Sequence, residues 1–193
     1  MTNAFAQRWM LPRLTQFQAA HPEIDLRLRP TMQLLDLDRD GIDVAVRYGA
    51  GRWPGVTAER LGDEVLFPVA SPLYRGGKLP RSPAELADCV LIDNPYQPWR
   101  PWLLAAGLPP DRPASAPIVD EPGLTLDLAA QGHGVALARR SLVSSDLASG
   151  LLVKLFDLEV PDDYAYHLIV RRGLEESAPV RRFSEWLKAT WPG

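Results

Sequence analysis

One cysteine in 193 residues, Cys89, cannot close a disulfide within its own chain, so a disulfide framework is excluded. That scarcity fits a reducing compartment. His21, His133 and His167 show no ligand spacing with one another or with Cys89, so no metal is expected, and nothing points to another cofactor. No run of about 18 apolar residues occurs and no basic-then-apolar leader opens the chain. The expectation is a cytoplasmic protein with no membrane partner. Positive charge is also short. Lysine and arginine total 21 against 24 acidic residues, a formal net charge of −3. A duplex-DNA surface is normally basic, so direct DNA contact by this chain is not expected. The sequence has no G-x-S-x-G elbow, no H-E-x-x-H and no P-loop, and its carboxylates form no local catalytic pair. The reading is a protein that is not an enzyme.

What the chain has in quantity is proline, 19 residues, and apolar side chains, 46%. The first argues for many fixed turns between short elements, the second for a folded core. The length suits one large domain or two small lobes.

Phe5, Trp9, Leu14 and Phe17 share roughly one helical face, interrupted by Pro12. Either the helix kinks there, or a turn precedes a helix that starts near Leu11. "IDLRLRP" alternates, with Ile24, Leu26 and Leu28 on one side and Asp25, Arg27 and Arg29 on the other, which predicts a strand with one wet face. A short helix over Leu34, Leu35 and Leu37, stopped by Gly41, comes next, followed by a strand over 42–47. Such alternation predicts a parallel sheet with covering helices.

Further strands are predicted over 64–70, 89–92, "APIV", "GVALA", "LLVKLF" and "YAYHLIVRR". Helices are predicted from Ser82, over "WRPWLLAAG", over 123–131 and 141–149, and after Ser177, with Val180, Phe183 and Leu187 on the buried stripe of the last.

"DLAAQGHGVALARR" raises the question of a phosphate loop. Its glycines follow a helix and precede a strand, the reverse of the order a phosphate cradle needs. Gly132 suits the left-handed close of a helix, and His133 a surface position. Asp120, Glu121, Asp162 and Asp163 read as solvated loop charges. Cys89 reads as a buried structural thiol. Trp53, Trp99 and Trp102 are open between core packing and pocket lining.

The order of "FAQRWMLPRLTQFQAAHPEIDLRL", "DGIDVAVRYGAGRWPGV", "LFPVASPLY" and "AAQGHGVALARRSLV" with "LASGLLVKLF" resembles the effector-binding domain of LysR-type transcriptional regulators, across essentially the whole chain. The "RYGAGRWPG" loop resembles the branch of glycine-cleavage and β-lactamase activators. The resemblance implies an α/β fold of two Rossmann-like lobes joined by two crossover strands, like type 2 periplasmic solute-binding proteins. Lobe I would span 1–69 plus 168–193 and lobe II 70–167, with hinges near 68–70 and 166–169. It also implies a first strand and a helix-turn-helix domain ahead of Met1.

The implied function is sensing of a small-molecule effector between the lobes. The domain would pair as a homodimer, a tetramer in the full-length protein, and act on DNA only through the helix-turn-helix. The effector-binding residues implied are Thr2, Asn3, Ala4, Thr31, Arg47, Tyr48 and Tyr166 with Asn94, Tyr96, Pro122, Gly123 and Thr125. Ala4 and Pro122 stand where many relatives carry a hydroxyl, which leaves Thr2, Asn3, Thr125 and helix-start amides as donors. Arg47 suits a carboxylate effector; a structural tie to a nearby acid is the other reading. A transport-type solute-binding protein and an enzyme on the same scaffold are the alternatives.

Overall fold

A computed structural model describes residues 1–110 and 117–191. Its chain divides into two units, Met1–Glu64 with Asp162–Gly193 and Val65–Pro161. The strands, in chain order, are β1 (Val44–Gly49), β2 (Ala58–Gly62), β3 (Val65–Ala70), β4 (Leu91–Ile92), β5 (Val135–Arg139), β6 (Val153–Lys154), β7 (Val160–Pro161) and β8 (Ala165–Val170). The α-helices are α1 (Leu11–Ala20), α2 (Arg100–Ala105), α3 (Pro122–Ala130), α4 (Arg140–Ser149) and α5 (Ala178–Ala189).

Unit 1 is built on the antiparallel sheet β1-β8-β2. Arg47 lies opposite His167 and Tyr48 opposite Tyr166 in that ladder. Aromatic side chains from both ends of the chain fill its core. Phe5 stacks on Trp9 at 5.0 Å and meets Tyr166 at 5.0 Å, while Phe17 meets Phe183 edge-on at 5.5 Å. The α5 stripe Val180, Phe183 and Leu187 is buried, as its spacing requires. The first helical run is π-helical over Phe5–Met10 and becomes α-helical at Leu11, with Pro12 in the first α-turn. Pro12, which has no amide to donate, comes just after the π-helical stretch, where the wider turn already departs from α-helical bonding.

Unit 2 holds the sheet β4-β5-β3-β6, with β7 also paired to β3. Every residue of β5 is buried, and Trp99 and Trp102 sit in the core with Leu86, Leu91, Leu103 and Leu137. Both indoles donate to backbone carbonyls, Trp99 to Ile92 at 2.9 Å and Trp102 to Leu158 at 3.2 Å, so core packing is their role. Cys89 is buried here too. Gly132 closes the turn after α3 with φ +82°, and His133 is exposed. At Gly134 a β-carbon would lie 2.6 Å from the Val90 carbonyl, so only glycine lets these backbones pair so closely.

Four expectations are corrected. The sheets are not predominantly parallel: among the described residues β4 and β5 form the parallel strand pair, joined by one parallel bridge from Asp93 to Ile118. Residues 24–29 keep their alternation, with Ile24, Leu26 and Leu28 half-buried and the residues between them exposed, yet they form no ladder. A strand exists only where a neighbour supplies its hydrogen bonds, and β1 bonds β8 instead.

The helix expected at Leu34–Leu37 is a set of turns. The Asp36 carboxylate accepts the Asp38 and Arg39 amides, both at 3.0 Å, which competes with helical bonding. Strand β2 was not anticipated, because "AERLG" has little apolar alternation. Of "APIV", Ala116 lies outside the described residues and Ile118 forms only the bridge to Asp93.

Candidate functional site

The unit 1 candidates fall into two groups, because side chains alternate along a strand. Tyr48 and Arg47 are neighbours in sequence and project to opposite faces of β1. Tyr48 packs on Tyr166 at 5.1 Å and on Tyr164 edge-on at 5.8 Å, and its hydroxyl donates to the Asp162 carboxylate. Asp162 therefore anchors Tyr48 rather than standing in solvent. The Asp162 carboxylate also accepts the Tyr164 amide at 3.2 Å, which fixes the turn.

Thr2 starts the first helical run. Its hydroxyl accepts the Phe5 amide at 3.2 Å and its carbonyl the Ala6 amide at 3.1 Å. The helix-start amides expected to face an effector are thus engaged by Thr2 itself. Ala4 is buried and Asn3 exposed. Thr31 donates its amide to the Met1 carbonyl at 2.8 Å, and its hydroxyl accepts the Gln33 amide at 3.1 Å. Met1, Thr2, Thr31 and Tyr48 all border one groove of about 160 Å³ beside β1, and Arg47 and Trp53 border it as well. Burial, and then the charge of Arg47, hold the Met1 ammonium below its ordinary value.

Arg47 belongs to the other face. Its guanidinium donates to the Leu35 carbonyl at 2.6 Å and lies 5.7 Å from the centre of the Trp53 ring. A carbonyl and an indole hold it, so the tie to an acid is not what is seen. Trp53 meets His167 edge-on at 5.4 Å. The "RYGAGRW" glycines make this possible. A β-carbon at Gly49 would lie 3.0 Å from the Trp53 ring, and one at Gly51 2.6 Å from His167 Nε2, with Gly51 at φ +80°. Burial is the main reason the His167 imidazolium is disfavoured, and the nearby Arg60 charge adds to it. Trp53 lines a cavity of about 420 Å³.

In unit 2, Asn94 and Thr125 are both buried and directly bonded, Asn94 Nδ2 donating to Thr125 Oγ1 at 3.2 Å. The Asn94 carbonyl oxygen accepts the Tyr96 amide at 2.8 Å, and the Thr125 hydroxyl donates to the Glu121 carbonyl at 3.1 Å. Pro122 and Gly123 open α3 and are buried, whereas Tyr96 is 57% exposed. Sequence reasoning missed Glu121. It is the N-cap of α3, its carboxylate accepting the Leu124 amide at 2.7 Å. The signal was Pro122: proline in a first helical turn marks the residue before it as the cap.

Neither group includes a nucleophile bonded to a base. Among the described residues no three histidines, cysteines or acids could hold a metal, and no helix is long and apolar enough to cross a membrane.

The comparisons with known proteins identify the class. The LysR substrate binding domain family matches residues 1–192, and the chain belongs to that family. Its fold is the two-lobed α/β arrangement of type 2 periplasmic binding proteins, reached here by an effector-binding domain of a LysR-type regulator.

Two relatives are particularly informative. The glycine cleavage system transcriptional activator of Escherichia coli K12 is 34% identical over 188 residues, covering 96% of this chain and 62% of the relative. The activator AmpR of Pseudomonas aeruginosa is 36% identical over 186 residues, covering 95% and 62%. The chain thus spans less than two thirds of these curated relatives. Among solved structures, the effector domain of AmpR from Pseudomonas aeruginosa superposes with a TM-score of 0.79 at 34% identity, covering 97% of this chain and 91% of that one. The effector-binding domain of AmpR from Citrobacter freundii gives 0.79 at 26% identity, covering 97% and 94%.

Proposed function

We propose that this domain senses a small molecule without transforming it, and that binding shifts the population of two conformations as far as its affinity for them differs. The observation that carries this reading is the buried Asn94–Thr125 pair at the start of α3, within a chain matched over residues 1–192 by a regulator family. Thr2, Thr31, Tyr48 and Tyr166 of unit 1 and Asn94, Gly123 and Thr125 of unit 2 are the recognition groups. The effector is a small metabolite with both donors and acceptors. Relatives of this chain are transcriptional activators, which favours regulation over transport or catalysis.

In the whole regulator the domain pairs with a second copy and acts on DNA through a helix-turn-helix, in the cytoplasm. Two-fold pairing matches the symmetry of palindromic operators. The first helical run and the wet side of residues 24–29 are the proposed pairing surface.

A thermal-shift screen against metabolites tests the sensor reading. A ligand at about 100 times its dissociation constant stabilises by ~2.7 kcal/mol. Hits should lose at least about tenfold in affinity in Asn94→Ala and Thr125→Ala, since each leaves a buried polar partner unpaired. Hits indifferent to both substitutions would remove the pair from the site. Sedimentation at high protein concentration tests pairing, and a monomer would count against the surface named.

A further inference from the structure

His167 is the centre of a row that crosses the unit 1 sheet. Arg47 of β1 lies opposite it on one side and Arg60 of β2 on the other. Directly opposed residues share a face, so the imidazole sits between two arginine positions. The loop 49–55 folds over two members of this row. Its Trp53 meets the His167 ring edge-on at 5.4 Å and lies 5.7 Å from the Arg47 guanidinium.

The imidazole has one good tautomer. Nδ1 lies 3.0 Å from the Ala165 carbonyl oxygen, which only accepts, so Nδ1 carries the proton and Nε2 the lone pair. Among the described residues Nε2 makes no hydrogen bond, and it faces Gly51, where a β-carbon would come within 2.6 Å of it. A proton arriving from water therefore lands on Nε2, against a backbone that offers it no acceptor.

The new charge also lacks a counter-ion. β1 presents Arg47, β2 presents Arg60, and the loop adds the exposed Arg52. Asp63, just past β2, is held by Arg60 at 2.6 Å. Asp36, Asp38 and Glu175 border the cavity on the Trp53 side, and among the described residues no carboxylate pairs with His167. Burial, and then the Arg60 charge, keeps the pKa of the ring below its ordinary 6.5.

His167 cannot easily retreat, because β8 is the central strand and is bonded along both sides. The loop can. Arg52, Pro54 and Gly55 are exposed, and Gly51 and Gly55 take left-handed φ angles of +80° and +75° on either side of Trp53.

We propose that His167 is a proton-operated latch: protonation at Nε2 expels Trp53 and the loop 49–55 from the β1–β8 face, and deprotonation seats them again. The latch belongs to unit 1 and does not depend on the sensor reading. Arg47 and Trp53 also border the groove assigned to the effector, so acid reshapes that groove; this consequence alone rests on the sensor reading.

The test is an NMR titration of the domain of residues 1–193 from about pH 7.5 to about pH 4.5, the range in which a histidine of lowered pKa changes charge. Trp53 is assigned through Trp53→Phe. Overhauser contacts between the Trp53 and His167 rings should be present at the upper end and lost at a midpoint below 6.5, where His167 itself titrates. The Trp102 indole, in the core of unit 2, should stay unmoved. His167→Gln should abolish the transition. Arg60→Gln, at an exposed side chain, should raise the midpoint by about 0.2–0.5 pH unit, the scale of one exposed charge. Ring contacts that survive the titration of His167, a transition shared by Trp102, or one that persists in His167→Gln would overturn the proposal. So would a midpoint that Arg60→Gln leaves unmoved or lowers, an arm that decides the matter even where His167→Gln fails to fold.

Discussion

Unit 2 and unit 1 use the same materials to different ends. In unit 2, β3 and β5 are almost wholly buried, and two tryptophans complete a dry core. In unit 1, only Val46 of β1 is fully buried, and cavities of about 420 and 160 Å³ lie beside that strand, whereas a cavity of about 320 Å³ in unit 2 is bordered by Arg81 and residues 154–157 and by no residue of β3 or β5. A central strand covered on both faces reads as a continuous apolar run, as "VALA" does. A strand with a half-open surface carries groups that do more than pack, as "VRY" does. The difference teaches where this fold puts rigidity and where it puts chemistry.

The largest expected effect should separate the two units outright. Trp102→Ala removes a fully buried indole and should cost about 3–5 kcal/mol in urea unfolding, whereas Trp53→Ala, at the mouth of a cavity, should cost about 1 kcal/mol. Equal losses would mean that unit 1 is packed as tightly as unit 2.

Next come the glycines. Gly134→Ala drives a methyl against the Val90 carbonyl, and Gly51→Ala drives one against His167 in a left-handed conformation; each should cost about 1–3 kcal/mol. Only Gly51→Ala should also move the Trp53 indole resonance.

Smaller again are the caps. Glu121→Ala in unit 2 and Thr2→Ala in unit 1 should each lose about 1 kcal/mol, read by the same unfolding curves.

Acidification sharpens the contrast further. His167 has a folded pKa below its ordinary 6.5, chiefly through burial, so its contribution is present above that value and is lost as pH falls through the folded pKa. Glu159 of unit 2, hydrogen-bonded to Lys154 and faced by Arg140, sits below its ordinary 4.5, so its contribution persists above 4.5 and is lost only as pH falls through its own lower value. Hydrogen exchange between pH 7 and 4 should therefore show unit 1 amides around His167 loosening first.

Local signals were legible wherever one stretch of chain decides its own shape. Ser177 and the Val180–Phe183–Leu187 spacing announced α5, and Gly132 announced the left-handed close of α3, at φ +82°. Pairing was less legible. The alternation over 24–29 describes which side chains avoid water, and it carries no information about whether a neighbour offers hydrogen bonds. Strand β2 was hidden for the converse reason: Arg60 and Glu59 look like loop residues until β8 lies beside them.

At the site, the period of two was already sufficient to part Arg47 from Tyr48, since consecutive strand residues face opposite ways. The bond from Asn94 to Thr125, 31 residues apart, had no local trace. Nor did the Tyr48–Asp162 bond, which joins residues 114 positions apart.

Strand β1 has one further consequence. Among the described residues it is stitched to β8 along one rim, and no ladder covers the other. An uncovered rim is adhesive, because its amides and carbonyls accept any extended peptide that comes alongside. Arg27 and Arg29 border the same groove, with Asp25 paired to Arg27 at 3.0 Å. Stocks of the domain should therefore self-associate along this rim as they are concentrated.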